Sequence, residues 1–123
     1  MKEIKTDKAP KAVGPYSQAV FSNGVIWLSG QIALDENGLP IKDYAEASQK
    51  IFNSIEAILS EAGASLSDVL KTTVFLTDLK GFPLVNAEYE KRFKAPYPAR
   101  SCVEVSALPK GSIMEIECIA KIK

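Results

Sequence analysis

A chain of 123 residues, 46% hydrophobic and 24% charged, has the balance of one soluble globular domain spanning 1–123, large enough to bury a core without staples. Fifteen Lys+Arg offset fifteen Asp+Glu, which leaves no electrostatic footprint for nucleic acid. The absence of histidine excludes His-based triads, His zinc sites and an imidazole general base, and two cysteines without metal-ligand spacing cannot complete a structural zinc site.

The N-terminal Met1 to Asp7 is charged and lacks an apolar signal core. No segment reaches transmembrane length, so a cytoplasmic location without a membrane partner is expected, with Cys102 and Cys118 reduced and largely buried. The first ten or so residues read as polar loop, continuing through Gly14-Pro15-Tyr16. Ser17 to Ser22 and Val25 to Gln31 are β-rich runs joined by Asn23-Gly24. That dipeptide favours a type I′ hairpin, because both central residues take positive φ. The register then sets Gln18 against Ser29, Ala19 against Leu28, Val20 against Trp27 and Phe21 against Ile26.

Asp35-Glu36-Asn37-Gly38 reads as a turn. Asp43 is placed to cap a helix, with Glu46 at the capping-box position and Gly63 as the C′ residue. Between them Ile51, Ile55, Ile58, Leu59 and Ala62 make one apolar stripe. A strand follows from about Val69 to Thr77, where alternation puts Leu70, Thr72, Val74 and Leu76 on one face. A second helix runs from about Phe82 to Phe93 on a stripe of Phe82, Val85, Tyr89 and Phe93, and Pro96 and Pro98 stop it. Ile113 to Ile122 forms the last strand, and Trp27 and the phenylalanines are assigned to the core.

The densest polar chemistry lies in the strand Pro98 to Val105. Arg100, Cys102 and Glu104 alternate there with Ser101, Val103 and Val105, so one face is apolar while the other lines up a guanidinium, a thiol and a carboxylate. An arginine so placed suits a bidentate grip on a small carboxylate, and its bland alternative is a structural pairing with Glu104 or another acid. Cys102 has no histidine to activate it, although Arg100 is close enough in sequence to lower its pKa. If the last two strands pair directly, a simple register puts Arg100 opposite Cys118 and turns Glu115 to the other face, with Glu117 its rival on that face. A bulge, a slip or a site shared between subunits would change that.

The order of hairpin, helix, strand, helix, strand, strand implies a two-layer α+β domain with two helices on one sheet face. Two helices cover only one side, so the other face and its edges are expected to meet another copy of the chain.

Gly14-Pro15-Tyr16-Ser17-Gln18-Ala19, Ser29-Gly30-Gln31-Ile32, Lys71 to Leu76, Asn86-Ala87-Glu88-Tyr89, Pro98 to Val105 and Leu108-Pro109 through Ile116-Glu117 closely resemble the RidA/YjgF family, in order and over essentially the whole chain. The resemblance implies a chorismate-mutase-like α+β fold and a homotrimer whose sheets close into a central barrel, with sites in the clefts between subunits. It implies cofactor-free hydrolysis of reactive 2-imino acids, such as 2-iminobutanoate and 2-iminopropanoate, to 2-oxo acids and ammonia. These imines arise from enamines released by pyridoxal-phosphate enzymes. By the same resemblance Arg100 grips the substrate carboxylate and Glu115 holds or activates the attacking water, while Tyr16, Ser29, Gly30, Asn86 and Cys102 shape the pocket. The rival expectation is a trimer that binds a small carboxylate, or holds unfolded clients, without turnover.

Overall fold

The computed structural model describes residues 1–122. Its core is a six-stranded mixed sheet in the order β1-β2-β3-β6-β4-β5, with two helices on one face. The strands are β1 Lys2–Ile4, β2 Ala19–Ser22, β3 Val25–Ile32, β4 Val69–Leu76, β5 Ala99–Glu104 and β6 Met114–Lys121. The helices are α1 Tyr44–Glu61 and α2 Phe82–Arg92.

The hairpin has the expected register, Ala19 against Leu28 and Phe21 against Ile26, with Asn23 at φ 51° and Gly24 at φ 80°. Asp43 caps α1, its carboxylate accepting the Glu46 N–H at 2.8 Å, and Ile51, Ile55, Ile58 and Leu59 are buried against the sheet. α1 lies over β3 and β6, meeting Ile26, Leu28, Ile116 and Ala120 in one core cluster. α2 packs beside α1 through an aromatic group in which Phe52 meets Tyr89 and Phe93 edge-on.

Four expectations need correction. The polar N-terminus contains β1, which pairs with β2 through Lys2–Phe21 and Ile4–Ala19; only Ile4 is buried, so the strand leaves almost no hydrophobic trace. The last two strands do not pair with each other. β4 lies between them, antiparallel to β6 and parallel to β5. Leu70 does not share the face of Thr72, because a register shift between Val69 and Lys71 turns Val69 inward (7% exposed) and Leu70 outward (52%). Trp27 is not core. It is half-exposed on the sheet face opposite the helices, where Val103 is also exposed.

Candidate functional site

The registers assign every polar candidate to a face. Thr72 of β4 is flanked by Arg100 of β5 and Cys118 of β6, and Val74 by Cys102 and Ile116. Thr72, Val74, Ile116 and Cys118 are buried under the helices, so Arg100 and Cys102 belong to the helix-bearing face. Phe75 pairs with Glu115 and Thr73 with Glu117, one residue out of phase, so both glutamates lie on the uncovered face. The candidates thus form two groups within one chain.

The first group stands at the sheet edge where α2 crosses β5. Arg100 Nη1 donates to Asn86 Oδ1 at 3.0 Å, and Asn86 Nδ2 donates to Glu90 Oε1 at 3.3 Å. The Arg100 guanidinium carbon sits 4.7 Å from the Tyr89 ring centre and 4.9 Å from that of Phe82. Among the described residues no carboxylate pairs with it. The bland partner Glu104 is otherwise engaged, its Oε1 accepting the Leu79 N–H at 3.0 Å. Asn86, Tyr89, Glu90, Tyr97, Pro98 and Arg100 line an open cavity of about 380 Å³. A guanidinium has five N–H donors in a planar fork, and here the protein uses one of them, leaving an edge suited to a carboxylate.

Cys102 is half-buried next to Arg100. Burial pushes its thiol up, and the arginine's opposing pull is the smaller effect, so the expected lowering does not occur. Cys118, buried deeper, is pushed up to about 12 by burial and then by Glu117. Burial also raises the Tyr89 phenol, against the smaller lowering pulls of its hydrogen bond with Thr72 and of Arg100.

The second group surrounds Glu115. The β3–β6 register slips between Leu28 and Gln31, and Gly30 lies in the slip with Glu115 packed on it. A Cβ at Gly30 would stand 2.6 Å from the Glu115 carboxyl carbon, so only glycine leaves that carboxylate its place. Burial raises the Glu115 pKa above the ordinary glutamate range, and the like charge of Glu117 adds to this.

Ser29 next to it ties down the preceding loop, its Oγ donating to Ser17 O at 2.6 Å and its N–H to Gln18 O at 2.9 Å. The buried Gln18 amide in turn holds the N-terminal segment through Thr6 and the Pro10 carbonyl. Tyr16, at the end of this anchored loop, is half-exposed.

Arg100, Asn86 and Cys102 are therefore brought together, and so are Ser29, Gly30 and Glu115, with Tyr16 on the adjoining loop. The two groups are separated by the sheet itself. Sequence reasoning missed Phe82 and Tyr89 as neighbours of Arg100, having placed them only on a core stripe. The available signal was Asn86, a polar residue four positions after Phe82 and three before Tyr89, and so on the same helix face.

Comparison with known proteins adds three kinds of likeness. The family model described as Endoribonuclease L-PSP matches residues 6–122. A RutC family protein of Pyrococcus abyssi is 49% identical over 119 residues, covering 95% of this chain and 94% of its own. The human 2-iminobutanoate/2-iminopropanoate deaminase is 44% identical over 119 residues, covering 95% and 87%. Among solved structures, RidA from the Antarctic bacterium Psychrobacter superimposes with a TM-score of 0.94 at 44% identity, covering 99% of this chain and 100% of that one.

Proposed function

Because the chain belongs to the RidA/YjgF family, we propose that it hydrolyses small reactive 2-imino acids to 2-oxo acids and ammonia. One observation carries the reading: Arg100 is framed by Asn86, Phe82 and Tyr89 at the mouth of a cavity, with no acidic partner of its own. Such a group is an anchor for a small carboxylate. Glu115, with its raised pKa, is matched to holding water and exchanging its proton.

Since the sheet keeps Arg100 and Glu115 apart, the reaction needs two copies of the chain. We propose a homotrimer in which the sheets, with Trp27 and Val103 exposed on their uncovered faces, close around a common centre so that the β5 edge of one copy borders the uncovered face of the next. Arg100, Asn86 and Cys102 of one copy then meet Glu115, Ser29, Gly30 and Tyr16 of the next. In the joint site Arg100 orients the substrate carboxylate, which fixes the imine carbon. Glu115 takes a proton from water as that water attacks the carbon. Glu115 returns that proton to the nitrogen to give a carbinolamine, then moves the hydroxyl proton to the same nitrogen, so that the C–N bond breaks, the C=O bond forms, and ammonia and the 2-oxo acid leave.

The test generates 2-iminobutanoate in situ from threonine and threonine dehydratase, and follows 2-oxobutanoate release with semicarbazide trapping the surviving imine. Faster release and less semicarbazone, both lost in Arg100→Ala, support the reading. No effect from a folded trimer would overturn it.

The separation of the two groups also favours a second reading, because one chain alone holds an anion anchor without the glutamate. In that case the protein binds a small carboxylate, or acts as a chaperone-like trimer, without turnover. Thermal protection by 2-oxobutanoate that depends on Arg100, with no imine hydrolysis, would select it. The family description's ribonuclease activity finds less support in a chain with zero net charge.

A further inference from the structure

We propose that Phe82 and Tyr89 are positioning residues for Arg100: their two rings, with the Asn86 carbonyl, fix the plane of the guanidinium so that its free edge stays turned to the ligand. This rests on the reading of Arg100 as a carboxylate anchor and extends it to residues that act by holding Arg100.

The starting point is a mismatch. Arg100 is exposed, lies on an edge strand and has no ion-pair partner among the described residues, which ordinarily leaves a long side chain free to sample many rotamers. A bidentate grip needs the opposite, a fork already held in one plane. The geometry supplies that restraint without using an acid. The guanidinium carbon lies within 5 Å of two ring centres, 4.9 Å for Phe82 and 4.7 Å for Tyr89, inside the range where ring faces attract a cation. An acidic partner would hold the fork as firmly but would occupy the edge that a substrate carboxylate needs. Aromatic faces neutralise nothing and compete for no N–H.

The platform is itself anchored. The Tyr89 hydroxyl is 3.0 Å from Thr72 Oγ1, and Thr72 is the β4 register partner of Arg100. The Tyr89 ring is buried, edge-on to Phe52 and 4.6 Å from Phe93. Motion of that ring would therefore disturb the core between the helices. Asn86 has its orientation set from both ends, its carbonyl accepting from Arg100 and its amide donating to Glu90. Phe82, half-buried at the first turn of α2, is the member that can be changed with least damage to the core.

The experiment titrates 2-oxobutanoate, as a stable carboxylate probe, into the wild-type protein and into Phe82→Leu, Phe82→Tyr and Arg100→Ala, with each ligand-free unfolding midpoint as the folding control. Phe82→Leu keeps apolar volume and removes the π face. The expected result is binding weaker by roughly tenfold, restored in Phe82→Tyr, with KM for the imine raised and kcat little changed. Wild-type affinity in Phe82→Leu, with binding lost in Arg100→Ala, overturns the cradle and leaves the anchor standing. Wild-type affinity in Arg100→Ala overturns the anchor reading and the cradle with it.

A measurement on the unmutated protein keeps the test independent of folding. Side-chain resonances of Arg100 in the ligand-free protein are expected to be shifted upfield by the two rings, with slowed guanidinium rotation. Unshifted, freely rotating Arg100 signals would also overturn the cradle.

Discussion

Arg100 and Glu115 lie on opposite faces of one sheet: β4 pairs Thr72 with Arg100 and Phe75 with Glu115, three residues apart and therefore of opposite parity. No side-chain rotation within one chain carries either group through the strands between them. If both serve one reaction, a mixture of Arg100→Ala and Glu115→Gln proteins, each inactive alone, regains activity on joint refolding. Random assembly gives about a quarter of the sites an intact pair from two different copies. Activity that stays absent in verified mixed assemblies would count against a shared site.

The raised pKa of Glu115 sets a pH dependence whose sign follows from its causes. Burial and Glu117 both favour the protonated form, so a mechanism needing the ionised carboxylate has its acid limb above the ordinary glutamate range. Glu117→Gln removes the like charge and should move that limb to lower pH. For stability, the folded state binds this proton more tightly than the unfolded chain. The contribution is favourable below the ordinary glutamate value and is lost as pH rises through the raised one. A pH–rate profile and denaturation at several pH values check both statements.

Gly30→Ala places a methyl group where the Glu115 carboxyl now stands. The glutamate can swing aside, so the expected loss of stability is small. Activity should fall by roughly 10²-fold, the scale associated with about 1 Å of misplacement. Equal losses in unfolding midpoint and rate would point to a general packing defect instead.

The two framed arginines should behave in opposite ways. Arg92 donates to the buried carboxylate of Glu88 at 2.6 Å, and also reaches Glu56, Asn53 and the Gln49 carbonyl. Arg92→Ala strands a buried charge and is expected to cost about 3 kcal/mol or more in urea denaturation. Arg100→Ala leaves no such orphan and should unfold within about 0.5 kcal/mol of the wild type while abolishing turnover.

Cys102 is expected to be dispensable as a nucleophile. Burial raises its pKa despite the neighbouring Arg100, so Cys102→Ser should retain activity within a few-fold, and alkylation at neutral pH should be slow. Rapid modification with complete inactivation would return the thiol to the chemistry.

Local chemistry made much of this fold legible. Asn23-Gly24 carried the hairpin and its register, and Asp43 with the isoleucine stripe carried α1. What escaped was non-local. Nothing within β5 or β6 encodes that β4 lies between them, because the parallel β4–β5 pairing is reached only through a crossover containing α2. The turning out of Leu70 depends on a bulge against β6, invisible to alternation within β4. In the site, Glu115 does lie on the face opposite Arg100, but the register from which that was expected paired β5 directly with β6, and the true one runs through β4; the stacking of Phe82 and Tyr89 on Arg100 required knowing that α2 crosses the β5 edge.

The slip at Ser29-Gly30 works as a phase marker. Before it even-numbered residues of β3 face the core, Ile26 and Leu28; after it the odd-numbered Gln31 and Ala33 do. Removing one residue there would straighten the ladder and leave Leu28 opposite Cys118 and Gln31 opposite Ile116, so both faces would keep their side chains, but the recess at Gly30 that seats the Glu115 carboxylate would be lost. Sequence at the slip is thus constrained in length as well as identity. The surface turn at Asp35 to Gly38, where a Cβ on Gly38 would meet nothing within 4 Å, is the place where the chain can absorb an insertion.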